Sequence, residues 1–72
     1  IMYWVITIVL MFHGTEYNIE REYQLKTFHD DWSCHKFIHD NKMLLLEQHL
    51  TDYGERLKSF ELYCESRYAQ EV

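Results

Sequence analysis

The chain has 72 residues, 47% of them hydrophobic and 17% aromatic, with no Pro and two Cys, and its twelve acids against seven bases give a formal charge of -5. A single domain of this size buries only about 60% of its unfolded surface, so such an apolar composition argues for a partner. The bases Arg21, Lys26, Lys36, Lys42, Arg56, Lys58 and Arg67 are scattered among acids, which excludes the basic stripe that nucleic-acid binding needs.

Ile1 to Phe12 contains one polar side chain, Thr7. The run is too short for a membrane-spanning helix, which needs about 20 apolar residues. It lacks the basic opening and small-residue cleavage site of a secretory signal. It also lacks the charged face of an interfacial anchor. No membrane contact and a cytoplasmic location are expected. Branched and aromatic residues suit a pleated sheet, so residues 3–12 read as a strand. Trp4, Ile6, Ile8, Leu10 and Phe12 share one face; Tyr3, Val5, Thr7, Val9 and Met11 share the other.

His13-Gly14-Thr15-Glu16 reads as a hairpin turn. Residues 17–27 form a second strand, with Tyr17, Ile19, Tyr23 and Leu25 opposite Glu20, Glu22, Gln24 and Lys26. Arg21 falls on the apolar face. It either snorkels from an edge strand or meets an aromatic ring or a partner's acid. Asp30 is a good N-cap, with Asp31 complementing the helix dipole; Thr27 and Asp30 offer a capping box one turn earlier. The helix spans residues 31–53 on a stripe of Cys34, Phe37, Ile38, Asn41, Leu44, Leu45 and Gln48, and Gly54 ends it. Residues 57–65 alternate again as a third strand, and the polar tail, residues 66–72, frays.

The expected fold is one α+β domain of ββαβ order. Its three-stranded sheet has the order 2-1-3, with the doubly apolar first strand in the centre and the helix packed on one face. The other face, Tyr3, Val5, Thr7, Val9 and Met11 or their opposite set, has no second layer within the chain. Burying it, at roughly 600 Å² per subunit, would contribute on the order of 15 kcal/mol before association costs. A contiguous patch of that kind marks an interface, so a homodimer through this open face, and capture of another protein, are expected. The acidic surface suits a basic partner patch.

Cys34 on the helix stripe and Cys64 on the third strand face the same layer. They form either a disulfide, adding roughly 3 kcal/mol, or two buried thiols. Asp31, His35 and His39 lie at i, i+4 and i+8 on one helix column. Two His at that spacing can hold zinc or copper with a carboxylate, against the plainer reading of a solvated helix face. Lys36 follows His35 where a metalloprotease carries Glu. No Gly-x-Ser-x-Gly turn and no phosphate-cradling loop occurs, so a non-enzymatic protein without a cofactor is expected. The Tyr and Trp residues read as interface anchors.

An oily first strand, a hairpin, Phe28, Asp30 and Cys34 about a helix start, and a last strand Phe60-Glu61-Leu62-Tyr63-Cys64 together resemble short, uncharacterised open-reading-frame proteins of bacteriophages and bacteria. The likeness spans residues 2–65. It implies a compact strand-strand-helix-strand fold with facing cysteines and, as a role, modulation of a host protein; it carries no active site.

Overall fold

The computed structural model describes residues 1–70. Its elements are β1 (Met2–Phe12), β2 (Asn18–Glu22), α1 (Asp31–Tyr53), a single 3-10 turn (Gly54–Arg56) and β3 (Leu57–Tyr68). The strands form one antiparallel sheet in the order β2-β1-β3. The α+β class, the strand order and the single long helix are those expected from the sequence. β1 takes the centre because both of its faces are apolar, while β2 and β3 each have a polar face that tolerates an edge.

The strand limits differ from expectation at two places. β2 ends at Glu22 rather than near residue 27. Tyr23 still donates its backbone N–H to the Ile6 carbonyl at 2.9 Å, but the chain then swings away, leaving Leu25 exposed. It returns for one bridge, in which Trp4 and Phe28 exchange backbone hydrogen bonds of 2.7 and 2.9 Å. β3 continues to Tyr68, where fraying was expected from residue 66. Ser66, Arg67 and Tyr68 pair with Trp4, Tyr3 and Met2. Pairing is a backbone property, and polar side chains do not prevent it where β1 still offers a free edge. Residues 71–72 of that tail lie outside the described residues.

α1 starts where the Asp30 carboxylate accepts from the Ser33 N–H at 2.7 Å. That bond holds the Asp30 carboxyl below its ordinary value of 3.8. The helix ends at Gly54, whose φ of 62° suits a residue without a Cβ. Its first half buries Cys34 and half-buries Phe37, Ile38 and Asn41, as the stripe predicts. In the second half Leu45 is buried as the stripe predicts, but Leu44 and Gln48 are exposed and His49 is buried in place of Gln48. The helix therefore presents a face one position further on. His49 is accommodated because Nδ1 donates to the Leu45 carbonyl at 2.7 Å and the ring packs on Phe60, centroids 5.1 Å apart.

The core lies between α1 and the even-numbered face of β1. Ile6, Ile8, Leu10, Phe28 and Cys34 are buried there, with Trp4, Phe12, Phe37, Ile38, Leu57, Phe60 and Leu62 packed around them. Cys34 and Cys64 are joined as a disulfide, with Cα atoms 6.1 Å apart across 30 positions of sequence. Of the two states open to them from sequence, the structure has the bridge. It ties the first turns of α1 to the part of β3 that pairs with Ile6.

Candidate functional site: the uncovered sheet face

Tyr3, Val5, Thr7, Val9 and Met11 point away from the helix, and no second layer covers them. Strand register decides what stands beside them. On the β2 side Met11, Val9 and Thr7 are opposite Asn18, Glu20 and Glu22. On the β3 side Met11, Val9, Thr7, Val5 and Tyr3 are opposite Ser59, Glu61, Tyr63, Glu65 and Arg67. Residues directly opposite in an antiparallel pair share a face. The floor of β-branched residues therefore has walls of four carboxylates, one guanidinium and a phenol.

The walls lean inward. Val5 is 0% exposed, and Thr7 and Val9 are each 6% exposed, within this one chain. Arg67 Nε approaches Glu22 Oε1 at 3.5 Å, and its Nη1 approaches Glu65 Oε2 at 3.4 Å. The Arg67–Glu22 contact runs from β3 across β1 to β2, above Val5. The Tyr63 hydroxyl donates to Glu61, and this bond to a carboxylate raises the Tyr63 pKa above 10.0. The bare oily patch expected from the sequence is therefore not what this face presents. Aliphatic stems of long neighbours screen it, and their charged heads form the surface.

Thr7 sits in the middle of this arrangement. Among the described residues its hydroxyl oxygen is the one buried side-chain polar atom without a hydrogen-bond partner. Its closeness to Glu65, ahead of that of Arg67, holds the Glu65 carboxyl below its ordinary value of 4.5, although the Thr7–Glu65 geometry falls short of a hydrogen bond.

The acids Glu20, Glu22, Glu61 and Glu65, with Arg67, are site residues that the β1 pattern alone does not name. The sequence does hold the signal. Glu20 and Glu22 alternate with Ile19 and Arg21 on β2, and Glu61 and Glu65 alternate with Phe60, Leu62 and Cys64 on β3, so the acids flank the odd-numbered face of β1.

The histidine column lies elsewhere. Asp31, His35 and His39 are all exposed on α1. Positions i and i+8 are about 12 Å apart along a helix axis, too far to share one ion. His39 Nδ1 lies instead 3.3 Å from Asp40, which also accepts from Lys36 at 3.1 Å. Among the described residues no three His, Cys, Asp or Glu side chains gather closely enough to hold a metal ion. The candidate ligands Asp31, His35 and His39 are thus not brought together. Arg21 is exposed on the edge strand β2, as the snorkelling reading has it. Its Nη1 donates to the Tyr53 hydroxyl at 3.2 Å, which pins β2 to the end of the helix.

Among the described residues no helix is long and apolar enough to cross a membrane. No protein-family model, curated protein or solved structure matches the chain.

Proposed function

We propose that this chain is a non-enzymatic interaction protein whose uncovered sheet face docks a basic surface of another protein. One observation carries the reading. α1 covers a single face of the sheet, and the opposite face presents Glu20, Glu22, Glu61 and Glu65 around a floor of Val5, Thr7 and Val9. Carboxylates fixed on a rigid sheet attract Lys- and Arg-rich partners and reject acidic ones. Tyr3, Tyr63 and Met11 supply amphipathic contact area at the same surface.

The same charges argue against a second copy on this face. Two such surfaces stacked on each other would oppose like charges, which is unfavourable. A basic partner removes that conflict, and a modulator of a host protein, of the kind the layout resembles, is the role we attach to it. The cellular compartment sets the state of the cysteines rather than of the face. A reducing cytoplasm favours two thiols, and an oxidising compartment favours the bridge.

The test is capture from a lysate of the source cell at low and high salt, using the wild type and a Glu20→Lys/Glu22→Lys variant. Captured protein is expected to be lost with salt and lost from the variant. Equal capture by both proteins would remove this face from the interaction.

A further inference from the structure

β1 is paired on both sides, but β3 has one free edge, and the backbone hydrogen bonds show which of its groups are unused. Trp4 exchanges both of its backbone bonds with Phe28, and the Ile6 carbonyl accepts from Tyr23, so even-numbered residues of β1 point toward β2. Odd-numbered ones point toward β3, where they meet odd-numbered partners such as Thr7 with Tyr63 and Val5 with Glu65. The bond from the Ala69 N–H to the Ile1 carbonyl, 2.9 Å, continues this pattern. The N–H and C=O groups of Phe60, Leu62, Cys64, Ser66 and Tyr68 therefore face outward. Below Phe60 the regular edge stops, because the register shifts opposite Met11 and Phe12, with Lys58 as the extra residue. A bulge carrying Lys is a common device for ending edge pairing.

We infer that a second copy of this chain pairs antiparallel along the free edge of β3, from Phe60 to Tyr68, about a two-fold axis at Cys64, to form a continuous six-stranded sheet. The regular edge is symmetric about Cys64. Pairing there joins Phe60 to Tyr68 of the second copy, Leu62 to Ser66 and Cys64 to Cys64, all through outward-facing backbone groups. On the open face the same register sets Glu61 opposite Arg67 of the second copy, and Tyr63 opposite Glu65, each twice by symmetry. A shift that centres the axis on Tyr63 would instead oppose Glu61 to Glu65 and run into the bulge.

The helix side of the edge provides a second, independent match. Leu46, Leu50, Leu57 and Phe60, rimmed by Lys42 and Lys58, line a groove of about 320 Å³ beside the start of β3. Tyr68, 75% exposed at the other end of the strand, lies on the helix-side face. In this register it stands against Phe60 of the second copy, at the mouth of that groove. Each chain thus offers both the apolar groove and the ring that enters it. The inference goes beyond the docking face and does not depend on it, since the two helices stay on one side and the acidic faces merge on the other.

Sedimentation equilibrium of the full chain over a concentration series tests this. The wild type is expected to dimerise. Ser66→Pro removes an outward N–H that donates to nothing within one chain, and is expected to give a monomer with an unchanged far-ultraviolet spectrum. Glu61→Lys alone and Arg67→Glu alone are each expected to weaken the dimer roughly tenfold, from two symmetry-related pairs, and the double exchange to restore it. A wild type that stays monomeric at every concentration, or a dimer indifferent to Ser66→Pro, overturns the pairing. If Ser66→Pro does not fold, the charge exchange decides, and a double variant no tighter than the singles counts against the register. Glu20→Lys, on the far strand opposite Val9 and away from Arg67, leaves the dimer intact while weakening capture at the docking face, so failure of this pairing and failure of the docking face are read separately.

Discussion

Ile6 and Val5 are consecutive on β1 and neither has exposed surface, yet they are buried by different means. Ile6 lies under α1 in a layer of Phe28, Cys34, Phe37 and Ile38. Val5 has no layer above it; an Arg67–Glu22 contact and the stems of neighbouring side chains cover it. The first arrangement is packed under a helix, while the second is a canopy of side chains that are themselves partly exposed to solvent. A strand apolar on both faces therefore does not require two covering layers. Two polar edge strands with long side chains can screen small branched residues in the middle of a narrow sheet. On the proposed function, a partner would meet the uncovered face through its charges and not through its oil.

Truncation on the two faces separates these cases. Ile6→Ala opens a cavity that the helix cannot fill and is expected to destabilise by about 3 kcal/mol in urea unfolding. Reducing the Cys34–Cys64 bridge frees a loop on the same covered side and should lose about 3 kcal/mol, seen as a lower melting temperature with reductant and two free thiols on denaturation. Val5→Ala removes less volume from beneath a canopy able to settle, and about 1.5 kcal/mol is expected. Equal losses for Ile6→Ala and Val5→Ala would mean that both faces are packed alike and would end the comparison.

The smallest expected effect is that of acid. Asp30 and Glu65 titrate below their ordinary values of 3.8 and 4.5, so their ionised forms favour the folded chain. Their contribution is complete above those values and disappears as pH falls through the lowered ones. Unfolding midpoints should be flat near neutrality and drop in this acid range. Asp30→Asn, which keeps an acceptor for the Ser33 N–H but no titrating charge, should flatten part of the drop, and Glu65→Gln part through loss of the charge beside Arg67. An acid limb identical in the two variants and the wild type would deny both carboxylates a role.

Much of the fold was legible from local pattern. Alternation in residues 3–12, the Asp30 cap, Gly54 and the early helix stripe each depend on neighbours a few positions apart, and each matches an observed element. The late stripe was less so. Asn41 and Gln48 blurred the period, and His49 was hidden because its burial rests on Phe60, eleven positions away. The limit of β2 depends on Phe28 returning to Trp4, a contact invisible to alternation. At the uncovered face the floor residues Tyr3, Val5, Thr7, Val9 and Met11 were grouped by periodicity, whereas the carboxylates around them follow only from register.

Periodicity along the chain alone determined which elements form, which strand is central and which residues of it share a face, because side-chain direction repeats every two or 3.6 residues whatever the chain does later. Tertiary structure decided what stands next to what: acids from β2 and β3 beside Val5 and Val9, the closure of Cys34 on Cys64, and an unused backbone edge from Phe60 to Tyr68. Those depend on strand register, and a register shifted by one residue would turn every side chain of β3 to the other face.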